Sequence, residues 1–169
     1  MIVQIKTDPD FQTLKRPEYQ GDAGYDLVSY KEPEIVGTKK KNSKTLFESI
    51  DYIQYDTNVC IAPLDSFYAQ IYPRSSVSKY NLALANSVGV VDSGYRDTIK
   101  LRFKYIMQPS DLVVQDGKVY TKINQEKIYQ RGDKIGQLIW MTHFHPHVEF
   151  SVQLPPSERG IGGFGSTGI

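Results

Sequence analysis

Apolar and polar residues alternate with period two along much of the chain. MIVQIK at the start, SFYAQIYP before Arg74 and TIKLRFKYI after Asp97 each place every second side chain on one face. That is the pattern of half-buried strands. GQLIWMTHFHPHVEFSVQL, from Gly136 onward, adds a long apolar-rich run. Turn residues interrupt these segments in GDAG, APLDS, DSGYRD, QDGK and RGD. Helical periodicity is nearly absent. One short helix is predicted near SSVSKYNL, capped by Ser75 or Ser76, with Val77 and Tyr80 on one face. The expected class is an all-β barrel or jelly roll. Two polar stretches look inserted between strands. One, residues 37–51, is lysine-rich; in the other, residues 108–130, QDGK reads as the tip of an extra hairpin.

Composition narrows the picture. The 169 residues suit one domain with a substantial core, and no repeat or linker marks a second. A net charge of +1 argues against a dedicated nucleic-acid binder. The basic run KKKNSK, residues 39–44, lacks interleaved aromatics and reads as a solvated loop. Cys60 is the only cysteine, so no internal disulfide forms, and its apolar neighbours in TNVCIAPL mark it as a buried structural thiol. MIVQIKTD is too short and polar for a signal peptide, and no apolar run reaches the length of a membrane span. The expectation is a cytosolic protein, or a nuclear one if its source has a nucleus, without a membrane partner.

Five stretches carry residue types that strands and turns alone do not require. In DAGYDLVS, Asp26 faces away from the side taken by Tyr25 and Leu27; it serves a hydrated divalent cation or local backbone N–H groups. In YPRSSVS, Arg74, Ser75 and Ser76 follow a strand-ending proline and form either a phosphate cradle or an ordinary cap. LANSVGVVDSGYRDTIK looks like a hairpin with a shallow groove. Backbone groups around Asn86, Gly89, Val90 and Val91 can read the edge of a planar base there, Tyr95 can floor a sugar, and Asp92 can take a proton from water. A turn aspartate beside a core-edge tyrosine is the plainer alternative. In RGDKIGQLIW, Gln137 is a polar residue inside an apolar run and needs a partner. In the terminal RGIGGFGSTGI, glycines free the backbone to wrap a ligand. Arg159 can pair with a terminal phosphate, Phe164 can stack on a base, and Gly165, Ser166 and Thr167 can bind phosphate oxygens.

Taken in this order, the five stretches resemble the five motifs of the trimeric dUTP pyrophosphatases (dUTPases), from about Asp22 to Gly168. The resemblance implies a jelly-roll β-barrel assembled as a homotrimer, with each active site drawn from more than one subunit. It implies Mg²⁺-dependent hydrolysis of dUTP to dUMP and pyrophosphate, which lowers dUTP and supplies dUMP for thymidylate synthesis. Asp92 then matches the residue that activates water for attack on the α-phosphorus. Asp26 matches the aspartate associated with hydrated Mg²⁺. Arg74, Ser75, Ser76 and Gln137 match phosphate contacts, and the stretch from Asn86 to Val91 matches the uracil-reading hairpin. Tyr95 matches the tyrosine under deoxyribose, Arg159 the γ-phosphate arginine, and Phe164 the ring over uracil within a closing tail.

Some positions depart from the family pattern. Ser76 and Asp97 stand where glycine is common, and Gly136 where alanine is frequent. Long insertions occur in phage and viral members, with which a phage or viral source is consistent. A dCTP deaminase shares the expected fold but needs a glutamate where Arg102 stands. A regulatory binding protein on the same scaffold is a third reading, with residues 108–130 as its docking surface. HFHPH alternates three histidines, but Pro146 disturbs a strand and no further ligand joins them, so an exposed strand end or subunit contact is expected.

Overall fold

The computed structural model describes residues 2–161. Thirteen strands are present among them, with no α-helix, in keeping with the all-β expectation. They are β1 (Gln4–Lys6), β2 (Leu14–Lys15), β3 (Tyr25–Val28), β4 (Glu34–Lys39), β5 (Leu46–Asp56), β6 (Cys60–Ala62) and β7 (Phe67–Tyr72). Then follow β8 (Leu82–Leu84), β9 (Gly89–Val91), β10 (Lys100–Tyr105), β11 (Leu112–Gln115), β12 (Lys118–Lys122) and β13 (Lys134–Thr142). One sheet runs β2-β3-β13-β7-β9; another runs β11-β12-β5-β10-β8 with β4 also on β5; β1 and β6 form a small third pair.

The alternation seen in the sequence decides which faces meet. Ala69 and Ile71 of β7 and Leu101 and Phe103 of β10 are buried at every second position. With Leu27, Tyr55, Ile135 and Leu138 they build one core between the two large sheets. Each leucine, isoleucine and phenylalanine among them contributes roughly 1.5–3 kcal/mol of burial. At one end, Tyr129 packs edge-on against Tyr55 and Phe103 and lies 4.3 Å from the Tyr80 ring. That contact anchors the end of the turn that follows β7.

Several local expectations are corrected. Cys60 is only half-buried, because it begins β6 with Ile61, not Cys60, facing the core, and its Sγ lies 3.9 Å from Thr98 Oγ1. The helix near SSVSKYNL is a short 3₁₀ turn, Ser75–Lys79, and its N-cap is Arg74, with no side-chain cap bond. Val77 and Tyr80 do pack on the core from it. Residues 37–51 lie mostly in β4 and β5, which pair antiparallel. The lysine-rich tip is not wholly solvated: Lys40 Nζ bonds Gln115 and Asp116 across the next hairpin and sits over the Tyr120 ring. QDGK is a hairpin tip as expected, with Asp116 and Gly117 at φ 54° and 72°. Such a left-handed pair suits the twist of a two-residue turn.

The hairpin β11–β12 is tied down by one buried acid. Asp111 accepts hydrogen bonds from Tyr105 Oη and the Gln108 N–H, both at 2.8 Å. Beyond β13 the chain runs without helix or strand through Ile161, and Phe144, Phe150, Val152 and Leu154 lie exposed along it. No described helix is long and apolar enough to cross a membrane.

Replacing Asp111 with alanine leaves those donors without their acceptor, a loss of about 1–3 kcal/mol. Hydrogen exchange should accelerate in residues 108–124 more than in β7 or β10. Uniform acceleration across the chain would show that Asp111 does not hold this hairpin in particular.

Candidate active site

Two cavities gather most of the predicted residues. The first, about 370 Å³, lies where β8 and β9 part to join different sheets. Its walls include Ile71, Asn86, Gly89, Val90, Val91, Asp92, Tyr95 and Arg102. Its volume falls within the roughly 300–1,000 Å³ of small-molecule sites. The expected hairpin is not there. β9, before the DSGY turn, pairs with β7, and β10, after it, pairs with β5 and β8, so the chain crosses from sheet to sheet there.

Backbone geometry shapes this groove. Ser87 takes a left-handed φ of 60°, and the Val88 N–H reaches Asn86 O at 2.6 Å. Gly89 lets the segment press on β7, because a Cβ there would lie 3.2 Å from Ile71 Cβ and 3.4 Å from Asn86 Nδ2. Asp92 follows β9 directly and is exposed; its carbonyl accepts the Tyr95 N–H in a turn. Tyr95 is half-exposed and donates its hydroxyl to Thr98 O at 3.2 Å. Asp97 turns aside to accept its neighbour Thr98 N–H at 2.7 Å. Arg102 is held by Gln54 Oε1 at 2.9 Å and lies over the Tyr52 ring, so a cation, not an acid, occupies that wall.

The second cavity, about 530 Å³, is charged. Asp26, on β3, meets Arg74 Nε at 2.9 Å through Oδ1 and Lys134 Nζ at 2.7 Å through Oδ2. The Arg74 contact is close but not aligned as a hydrogen bond, so it acts through charge. Gln137 pairs with Asp26 across the β3–β13 ladder. Gly24 gives its side chain room: a Cβ there would lie 3.2 Å from Gln137 Cβ and Cδ. Lys134 is a site residue that sequence reading missed. A β-bulge at Ile135 turns Lys134 onto the Asp26 face while Ile135 enters the core. Only strict alternation counted back from Gln137, and its failure at the buried Ile135, hints at this in the sequence.

Ser75 and Ser76 begin the 3₁₀ turn beside Arg74. Burial pushes the Tyr129 phenol up to about 12, with the Ser76 hydroxyl and the Arg74 charge opposing the rise. The two cavities share no wall residue. Asn86 to Tyr95 belong to one, and Asp26, Arg74 and Gln137 to the other. Arg159 is exposed in a turn outside both. Phe164, Gly165, Ser166 and Thr167 lie outside the described residues. Among the described residues no group of three histidine, cysteine or acidic side chains is arranged to hold a metal. Within HFHPH, His143 and His145 touch ring to ring, but β13 has already ended at Thr142.

A family model described as dUTPase matches residues 12–168. The chain is 34% identical over 156 residues to the deoxyuridine 5'-triphosphate nucleotidohydrolase of Rickettsia rickettsii (strain Sheila Smith), covering 90% of this chain and 88% of that one. It is 31% identical to the protein of the same name from Clostridioides difficile, covering 99% and 98%. Its fold is similar to that of the Staphylococcus bacteriophage 80alpha dUTPase solved with dUPNHPP, with TM-score 0.71, 21% identity and 99% of both chains covered. It is also similar in fold to a mutant dUTPase from phage phi11 of S. aureus, described with a structural Mg(II) ion, at TM-score 0.63 and 18% identity over 90% of this chain and 98% of that one.

Gly136 sits beside Gln137, and a Cβ there would lie 2.6 Å from Leu101 Cδ2 and 3.1 Å from Tyr72 O. Leu101 is buried in the core, so its Cδ2 can move aside only by displacing its neighbours. Gly136→Ala should therefore cost about 1–3 kcal/mol by overpacking, read from the urea midpoint. Leu101→Val in the same chain should recover part of the loss. A variant as stable as the parent would mean that Leu101 repacks freely.

Proposed function

The chain belongs to the dUTPase family, and from that premise we propose which of its residues carry the hydrolysis of dUTP to dUMP. It is a dUTP diphosphatase. The first cavity takes uracil and deoxyribose. Backbone groups from Asn86 to Val91 meet the uracil edge, and cytosine reverses that donor–acceptor pattern and leaves buried groups unpaired. Thymine is excluded sterically, its methyl meeting the wall formed by the Asn86–Val91 segment. Tyr95 floors the sugar. Asp92, at the lip, accepts a proton from the water that attacks the α-phosphorus, and pyrophosphate leaves. Arg74, Ser75, Ser76 and Gln137 hold the phosphates of the chain in line; phosphoryl transfer depends mainly on such positioning and on charge.

The observation that carries this reading is the division of the site. Asn86, Gly89 to Asp92 and Tyr95 line one cavity, and Arg74 and Gln137 line another on the same chain, with Ser75 and Ser76 adjoining Arg74 in sequence. A complete site then arises when the first cavity of one copy meets the second cavity of another, as in a homotrimer. The exposed apolar residues from Phe144 to Leu154 supply a surface for that association. The terminal segment acts as a lid, with Arg159 on the γ-phosphate, Phe164 over uracil, and Gly165, Ser166 and Thr167 along the phosphates.

Mg²⁺ fits the second cavity as an ion delivered with the triphosphate rather than as a resident one. Asp26 is already engaged by two cations, and Glu18 and Asp22 of the same wall do not gather with it into a metal-holding group; Mg²⁺ is commonly held by one or two carboxylates plus substrate phosphates and water. Asp26 would accept from water on that ion. When bound, the ion offsets charge on the triphosphate and the leaving group.

A docking role for residues 108–130 is a second reading, compatible with catalysis. Leu112, Val114 and Val119 are exposed on one side of the β11–β12 hairpin, where Val114 and Val119 stand opposite each other. Val114→Lys should weaken binding of a regulatory protein partner through this face without changing turnover; equal binding would exclude the face.

With Mg²⁺ present, dUTP should be hydrolysed in clear preference to dTTP, dCTP and UTP, measured as pyrophosphate release. Ammonia release from dCTP would favour a deaminase instead. Asp92→Asn should lower kcat by about 10²–10⁴ while dUTP binding persists. Deleting residues 159–169 should sharply reduce turnover and leave the oligomer intact in sedimentation; full activity of the truncated chain would remove the lid from the mechanism.

A further inference from the structure

The ladders of the five-stranded sheet align four side chains in one row. Lys15 of β2 stands opposite Asp26 of β3, Asp26 opposite Gln137 of β13, and Gln137 opposite Tyr72 of β7. Residues directly opposite one another share a face. Leu14 and Leu27, one position along, point into the core. Lys15 therefore stands on the face of the charged cavity, and it lines that cavity with Asp26, Arg74, Lys134 and Gln137.

Lys15 is not neutralised by the acid beside it. Both oxygens of Asp26 are already taken, by Arg74 and Lys134. Asp22, also in the wall, turns back to the Tyr19 N–H at 3.2 Å. Glu18 lies in the wall as well, but among the described residues Lys15 makes no ion pair with it or with any other acid. An ammonium held at the cavity by strand register, with no internal counter-ion, suits an anionic ligand.

We propose that Lys15 is a substrate-binding residue that grips the β- and γ-phosphates of dUTP, and so the pyrophosphate that leaves. The assignment rests on the reading of the second cavity as the phosphate half of the site. Lys15 lies at the outer end of the row, across Asp26 from Gln137. It therefore meets the distal phosphates, with Gln137 nearer the α-phosphate. Its ammonium acts as a point charge on a flexible stem, and it binds the polyphosphate without taking part in proton transfer.

The test uses the full chain with Lys15→Met, Lys15→Arg and Arg74→Met, and reads inhibition of dUTP hydrolysis by pyrophosphate and by dUMP. Lys15→Met should raise KM for dUTP and the inhibition constant for pyrophosphate about tenfold, the size of one lost charge-assisted contact. The dUMP constant should not move, because dUMP lacks the distal phosphates. Lys15→Arg should retain most of the pyrophosphate affinity. If Lys15→Met leaves pyrophosphate inhibition unchanged while Arg74→Met weakens it, the role of Lys15 is overturned and the cavity reading stands. If neither variant changes it, the cavity is not the phosphate half, and both fall. Equal weakening of dUMP and pyrophosphate would overturn the proposal too, as a general disturbance of the site.

Discussion

Asp26 is the point on which the charged half of the structure turns. Its side chain is only 13% exposed, yet two cations reach it from different elements. Arg74 comes from the end of β7 and Lys134 from the start of β13. A carboxylate this secluded needs such partners, because removing either would leave charge in a poorly hydrated place. Pro73 ends β7, and the pairing holds Arg74 in place where the Ser75–Lys79 turn begins. The bulge at Ile135 serves the same contact. It lets β13 keep Ile135 in the core and still present Lys134 to Asp26.

What was legible in the sequence was what is local. Alternation in β7 and β10, the QDGK tip and the residue types around Arg74, Asp92 and Gln137 could all be read without knowing which strands pair. What was not legible depends on register. Lys15 and Lys134 occur in stretches that look like ordinary surface lysines. Their place beside Asp26 follows from pairings across β2, β3 and β13 that no short window reveals. The stretch from Leu82 to Lys100 misled for a related reason. The DSGY turn separates two strands as in a hairpin, but those strands, β9 and β10, are claimed by different sheets. Burial on both sheets won over the short-range turn signal.

The same distinction explains the cap. Ser75 and Ser76 have the chemistry of N-caps, yet the turn starts one residue earlier, at Arg74 in an extended conformation. Arg74 is drawn to that place by Asp26 and not by its own capping preference. The serine hydroxyls are therefore not used as caps for the turn. The Ser76 hydroxyl lies instead beside the buried Tyr129 phenol, whose ring is packed among Tyr55, Tyr80 and Phe103.

The two cavities are separate in their walls but not in their support. Leu101 lines the first, and its Cδ2 occupies the space where a side chain on Gly136 would go. Ile71 lines the first as well; its Cβ meets Gly89, and its Cγ2 lies 3.7 Å from the same Gly136 position. Gly136 immediately precedes Gln137 in the second. One buried layer thus stands behind both, and close-packed interiors pass displacement on rather than absorb it. A glycine at 136 is then not a loss of packing where alanine is frequent in the family. It is the complement of a leucine at 101, and the two residues set the distance between the base-side wall and the phosphate-side strand.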